Sequence, residues 1–544
     1  MSGRAAGTTD SAAESLPAAA TAAAPEAPLG EPVEAFPDLA PGLDVLFTRL
    51  PKEASYPIER IEGALPPGLS GRYYLNGPSR FARGALAYHH WLDGDGMVSR
   101  LSFDGSGGAG FACRWVDSTK RRDEEAAGRA HYRTFGTAFE GDRLRRGIGL
   151  ENPVNVSVYP WAGQVLAFGE QGLPWAIDPE TLETLGEHTF GGRLNAISPL
   201  SAHPSIDPAT GEMLNFGVSL ASRRPCLHLY RFDPAGAMLY RRRLDLPYAC
   251  SMHDFGLSAR YAVFYLAPFV MEVERLLAGG RSVMECLDWC PELGSRLLIA
   301  RREDGAPTAE IPLGSAYCLH LVNAFETERL PEDGEVVAAP EAGEAGDGPL
   351  LVVDVVELDR PVYDQYQPVP YLFRDVAPGR PVRFVIDTRT WSLLARRELS
   401  YDRAPDFPSP DQRLLCRPYG EFWMLGISTT GRRGSKFFDQ LVHCGWGRPE
   451  PLGLYQAPPG YYLGGEPVLL PEAGAAPGEP AGWVLIQEYA AERDAGAFLL
   501  FDAHRVEAGP IARLPLREPI PLGFHARFEY GRSRAFAQEG PEVL

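Results

Sequence analysis

Short apolar, β-branched and aromatic runs recur along the chain, and each is closed by a turn rather than continued into a long amphipathic repeat. Val165-Leu166-Ala167-Phe168, Leu227-His228-Leu229-Tyr230, Arg383-Phe384-Val385 and Phe498-Leu499-Leu500 are examples. An apolar residue followed by aspartate marks the end of such runs, at Phe103-Asp104-Gly105, Ile177-Asp178-Pro179, Ile206-Asp207-Pro208, Phe232-Asp233-Pro234, Ile386-Asp387-Thr388 and Phe501-Asp502. Aspartate can accept hydrogen bonds from the backbone just after it and so starts a turn, while the flanking residues favour a half-buried pleated surface. The pattern predicts hairpins. Hairpins repeated over most of the chain, with little room for crossover helices, favour an all-β propeller, whose radial repetition protects sheet edges. The spacing is irregular, so the number of blades is not readable from it.

Helical pattern is confined to 122–130 and to 272–278 with the stretch after Gly279-Gly280. Residues 1–32, almost all Ala, Gly, Pro, Ser and Thr with few large apolar groups, predict a disordered tail. The alanines between Pro17 and Pro25 lack the apolar core of a secretory signal. Segments 331–348 and 471–482 are expected as exposed insertions. The remainder, 33–544, is expected to form one domain.

Composition agrees: Gly 58 and Pro 50 make about a fifth of 544 residues, well above average usage. The net charge of −19 argues against a nucleic-acid partner. Eight cysteines without a CxxC pair fit a reducing cytoplasm better than a disulfide scaffold. No run of apolar residues is long enough to span a bilayer.

The chemistry lies in the histidines. His203 (Ser201-Ala202-His203-Pro204), His253 (Ser251-Met252-His253-Asp254-Phe255), His320 (His320-Leu321-Val322-Asn323) and His525 (Gly523-Phe524-His525-Ala526-Arg527) are separated by 50, 67 and 205 residues. No short metal motif has that spacing, but a propeller brings strands from different blades to one axis. Imidazole is a suitable ligand for a redox-active iron and adds no charge. Judged singly, each reads better as a packed core histidine; the set carries the argument. His188, His443 and His504 lack such surroundings and are expected to be indifferent to metal.

These segments, with Trp91-Leu92-Asp93-Gly94-Asp95-Gly96-Met97-Val98, Glu124-Glu125-Ala126-Ala127-Gly128-Arg129, Ile177-Asp178-Pro179-Glu180 and Glu466-Pro467-Val468, resemble the carotenoid cleavage oxygenase family from about Phe36 onward. That family includes carotenoid, apocarotenoid and stilbene dioxygenases and the retinoid isomerase. The resemblance implies a seven-bladed β-propeller with a helical and loop cap, and one Fe(2+) per chain on the axis, held by His203, His253, His320 and His525. Carboxylates behind the ligands are implied at Glu170 and Glu466, paired with His253 and His525. The third, toward His320, is the shorter Asp406, so either the backbone approaches, a water bridges, or the ring is held less firmly. Val156 matches a small branched residue beside an open iron position.

The implied reaction is cleavage of a conjugated C=C bond of a carotenoid or apocarotenoid by O2, giving two carbonyl products in an apolar tunnel. A phenolic stilbene is the alternative substrate; Tyr88 and Lys120 lie near where stilbene cleavers carry a tyrosine and a lysine that would anchor it. A non-enzymatic carotenoid-binding or interaction propeller is the alternative of another class. Residues 269–289 fall where relatives carry an apolar tunnel mouth, which allows peripheral membrane contact by an otherwise cytoplasmic protein.

Overall fold

The computed structural model describes residues 37–145, 149–220, 224–329, 349–368, 370–479 and 481–531. The expected tail at 1–32 and the insertion at 331–348 lie outside the described residues, as does position 480 within the second insertion.

Seven antiparallel sheets of four or five strands are present among the described residues, with two small two-stranded ribbons. The first strands of the sheets are Ser157–Trp161, Ser205–Ile206, Gly256–Leu257, Tyr317–Thr327, Asp406–Pro410 and Tyr461–Pro471, in blades 2 to 7. Blade 1 is closed by the end of the chain: Ala526–Tyr530 pairs with Ser70–Pro78, which pairs with Gly96–Asp104. Its counterpart, blade 7, takes its outermost strand from Glu62–Gly63. Both ends of the described chain are thereby stitched into the ring.

The aspartate turns work as hydrogen-bond acceptors. Asp233 Oδ1 accepts from the Ala235 and Ala237 amides at 3.0 and 2.8 Å, and Asp178 Oδ1 from Glu180 and Thr181 at 2.9 and 2.8 Å. Asp104, Asp207, Asp387 and Asp502 do likewise. Each of the six sits in a hairpin turn between neighbouring strands of one blade.

Apolar side chains fill the gaps between blades. Tyr74, Val98, Val158, Val165 and Trp175 join blades 1 and 2, and Phe216, Leu229, Phe255 and Phe264 join blades 3 and 4. Helix is sparse. Thr119–Ala127 is capped by the Ser118 hydroxyl, which accepts from the Arg121 amide, and ends at Gly128 with φ +65°. Val273–Leu277 makes a short helix beside the ribbon of Phe269–Met271 and Leu287–Trp289. No helix among the described residues is long and apolar enough to cross a membrane.

Candidate metal centre

The start of each inner strand faces the axis, and there the four distant histidines meet. His203 and His253 precede the inner strands of blades 3 and 4, His320 lies within that of blade 5, and His525 precedes the closing strand of blade 1. All four are buried, and their ligand atoms lie within 4.8 Å of one another. The Nε2 atoms of His203 and His253 are 2.8 Å apart, and those of His253 and His320 are 3.2 Å apart.

The outer edges of three rings are held by carboxylates. His253 Nδ1 lies 2.8 Å from Glu170 Oε1, His320 Nδ1 2.6 Å from Asp406 Oδ1, and His525 Nδ1 3.3 Å from Glu466 Oε2. A carboxylate is an acceptor, so each Nδ1 donates and the lone pair of each Nε2 is turned inward. Neutral lone pairs packed this closely repel one another unless a cation lies between them. The donor set therefore fits a metal that takes imidazole nitrogen. Burial and the neighbouring rings push His203 well below the ordinary imidazole range, and His525 is lowered to about 4, chiefly by burial. Both rings stay neutral and able to ligate. Burial disfavours a charged His320 too, but the Asp406 carboxylate outweighs it and the pKa is raised.

Asp406 reaches its histidine in spite of its shorter side chain, and the reason lies in the backbone. The strand pairing shifts register between Asp406 and Ser409, and Phe407 adopts φ +52°. This bulge carries the carboxylate toward the axis. Of the three possibilities left open by the sequence, the structure adopts the close backbone approach. Blade 7 uses the same device with an easier residue, Gly465 at φ +74°, just before Glu466.

The carboxylates have further partners that the sequence did not reveal. Arg527 donates to Glu466 at 2.7 Å, and burial of that acid is outweighed by Arg527 and His525, which hold its pKa at about 2. Tyr366 donates to Asp406 Oδ2, and the Tyr363 hydroxyl lies 3.5 Å from Glu170. Arg527 was detectable in principle, since it is two residues from His525 and alternate strand residues share a face. Tyr363 and Tyr366 sit on a loop inside blade 5, three apart across one 3₁₀ turn, with no outward signal. Asp254, next to His253, stands 3.8 Å from His203 Nδ1, too far for a hydrogen bond, and instead accepts from the Leu321 and Phe255 amides.

An apolar pocket covers one side of the histidines, lined by Leu92, Val156, Leu319, Phe407 and Phe524 together with Tyr363 and Tyr366. Val156 is fixed beside His525, whose amide donates to its carbonyl at 3.2 Å. Leu92 is placed by its tightly folded motif: Asn155 donates to the Leu92 and Gly94 carbonyls at 2.8 and 2.6 Å, and Asp93 accepts from Gly136 and Thr137. A Cβ at Gly96 would lie 2.0 Å from the Val154 carbonyl oxygen, so only glycine fits there. Beyond Leu92 a second cavity reaches Leu150 and Gln171, and a third runs from these to the surface at Val273, Leu276 and Leu277.

Tyr88 and Lys120 are not brought to this pocket. Both are buried, and Lys120 Nζ donates to Tyr88 Oη, Asp95 and Glu124 at 3.0, 2.9 and 2.9 Å. Every polar atom of the pair is spent inside the protein, which leaves neither free to hold a substrate phenol.

Because the Asp406 contact is the shortest of the three, Asp406→Asn is expected to cost as much as Glu466→Gln, roughly 10- to 100-fold in metal affinity or turnover. Metal titration and turnover of both variants check this; a near-normal Asp406→Asn protein would mean that the contact does not orient the ring.

Residues 47–529 match the family described as retinal pigment epithelial membrane protein. The chain is 29% identical over 492 residues to apocarotenoid-15,15'-oxygenase of Synechocystis sp., covering 87% of this chain and 93% of that protein. It is 24% identical to lignostilbene-alpha,beta-dioxygenase isozyme III of Sphingomonas paucimobilis, covering 91% and 97%. The crystal structure of cobalt-substituted Synechocystis apocarotenoid oxygenase superposes with a TM-score of 0.78 at 27% identity, covering 91% of this chain and all of that one. Fold, histidine cluster and sequence match coincide over nearly the whole described chain, which belongs to the retinal pigment epithelial membrane protein family of carotenoid oxygenases.

Proposed function

We propose that this oxygenase uses one Fe(2+), held by His203, His253, His320 and His525, to split a conjugated C=C bond of a carotenoid or apocarotenoid with O2 into two carbonyl products. The observation that carries the reading is the convergence of four inward-facing Nε2 lone pairs beneath an apolar pocket. Iron, when bound, supplies the activation of dioxygen that no protein side chain can supply.

The chain's own residues do the rest. Glu170, Asp406 and Glu466 keep the three Nδ1 protons in place, so each ring is held in a fixed orientation with Nε2 left for the metal. Leu92, Val156, Leu319, Phe407 and Phe524 exclude water and hold an extended alkene by apolar contact. Val156 puts methyl groups where a polar side chain would attract a competing water. The Tyr366 hydroxyl is committed to Asp406, so it does not offer the pocket a free phenol anchor. The cavities that run from Leu92 to Leu276 and Leu277, the latter 54% exposed, mark the direction of a substrate path inward, with apolar groups at both ends and Glu151, Asn152 and Gln171 between them. That mouth also suits peripheral contact with a lipid surface.

Iron-loaded protein is expected to cleave an apocarotenal in detergent and to leave a hydroxystilbene largely intact, with product analysis under air and under nitrogen as the measurement. Efficient oxygen-dependent cleavage of the stilbene, with every carotenoid and apocarotenoid ignored, would transfer the reading to phenolic alkenes.

A further inference from the structure

We propose that Glu421, His443 and His504 form a second metal site, independent of the axial one, which takes a zinc-class divalent cation and fastens blade 6 to blade 7. Their ligand atoms lie within 4.8 Å of one another. Glu421 Oε2 is 2.9 Å from His443 Nε2 and 3.1 Å from His504 Nδ1. Two ligands at about 2.0–2.2 Å from one cation stand roughly 3.0–3.4 Å apart at the angles of ordinary coordination. The pairs are thus already near ligand spacing.

The three donors come from different elements. Glu421 begins the second strand of blade 6, His443 lies on the neighbouring strand, where it pairs with Trp423, and His504 sits in the hairpin turn after Ala495–Asp502 of blade 7. That turn is docked in place: the Trp423 indole donates to the Ala503 carbonyl at 2.8 Å, and the Asp502 carboxylate accepts from the His504 amide at 3.0 Å. Trp423 stacks on His443 at 5.0 Å and meets His504 edge-on at 6.0 Å, walling off one side of the cluster. His443 is 2% exposed, and its Nδ1 has no hydrogen-bond partner. Nothing therefore ties the His443 proton to one tautomer from behind. With the proton on Nδ1, Nε2 turns a lone pair toward the cluster. The side chains of His504 and Glu421 are 25% and 32% exposed, which leaves an approach for the cation and room for water as a further ligand.

Two imidazoles and one carboxylate suit zinc or a cation like it. The bland alternative is a carboxylate that simply accepts from two histidines. It predicts no metal.

The test uses the whole protein with its axial site loaded with iron, dialysed against low-micromolar zinc and then analysed for both metals. Expected are one zinc per chain in addition to the iron, a higher melting temperature with zinc than without, and the loss of both effects in His504→Ala and Glu421→Gln. Both variants should keep their iron, which shows that they fold. The proposal is overturned if the unaltered protein retains no extra zinc, if zinc enters only as iron leaves, or if the variants bind zinc as well as the original does.

Discussion

Replacing any one of His203, His253, His320 or His525 by alanine is expected to strip the metal from the axial site and to abolish double-bond cleavage. Each ring supplies an inward Nε2, and among the described residues the nearby carboxylates are occupied elsewhere, Glu170, Asp406 and Glu466 at the Nδ1 edges and Asp254 with backbone amides. The four variants should differ in stability. Removing His253, His320 or His525 takes a donor from its acid, most severely at Glu170, since Asp406 keeps Tyr366 and Glu466 keeps Arg527. An unpaired buried polar group costs about 1–3 kcal/mol, and more when it is charged. The carboxylate beside His203, Asp254, stands 3.8 Å from its Nδ1, beyond hydrogen-bonding distance. His203→Ala should therefore lose metal as completely as the others while melting closest to the unaltered protein. Metal analysis, cleavage assays and thermal melting on the same four preparations decide this, with His188→Ala as the silent control. Full metal content and activity in two of the four would sink the assignment.

What could be read from the sequence was whatever a short segment states by itself. The aspartate turns name their own hairpins, and histidines set in unusual segments signal an axis even when 205 residues separate two of them. What could not be read was anything decided by the backbone between segments. Asp406 is one methylene shorter than glutamate and left three ways of meeting His320 open, and what decides among them is a bulge at Phe407, a residue whose positive φ no propensity would predict. Gly465 performs the same turn beside Glu466 and, being glycine, at least hints at it. Likewise the grouping of His443 with His504 has no telling neighbour in sequence. Their common partner, Glu421, is brought to them only by strand pairing and by the Trp423–Ala503 contact between blades.

Tyr88 and Lys120 show the opposite error, in which nearness to family positions suggested a task that the surroundings forbid. Lys120→Met is expected to destabilise the fold by about 3–5 kcal/mol, the usual result of taking one partner from a buried ion pair. Two cations, Arg83 and Lys120, face two anions, Asp95 and Glu124, and all four side chains are fully buried. Without Lys120, Arg83 alone must balance both acids. Glu124 also accepts from the His131 and Tyr132 amides at 3.0 and 3.2 Å, so it cannot swing out to water without undoing the turn after helix Thr119–Ala127. Tyr88→Phe should be milder, since it removes one hydroxyl from a network whose charges stay paired. The consequence for function runs through Asp95, which belongs to the same short turn as Leu92 over the histidines. A loosened turn lowers the fraction of folded, metal-loaded protein but not the chemistry of the molecules that remain. Turnover per bound iron should thus stay within a few-fold for an apocarotenal and for any stilbene alike, while the melting temperature falls. A Lys120→Met protein of unchanged melting temperature that selectively lost cleavage of a hydroxystilbene would show instead that the amine leaves its buried partners to hold a substrate phenol.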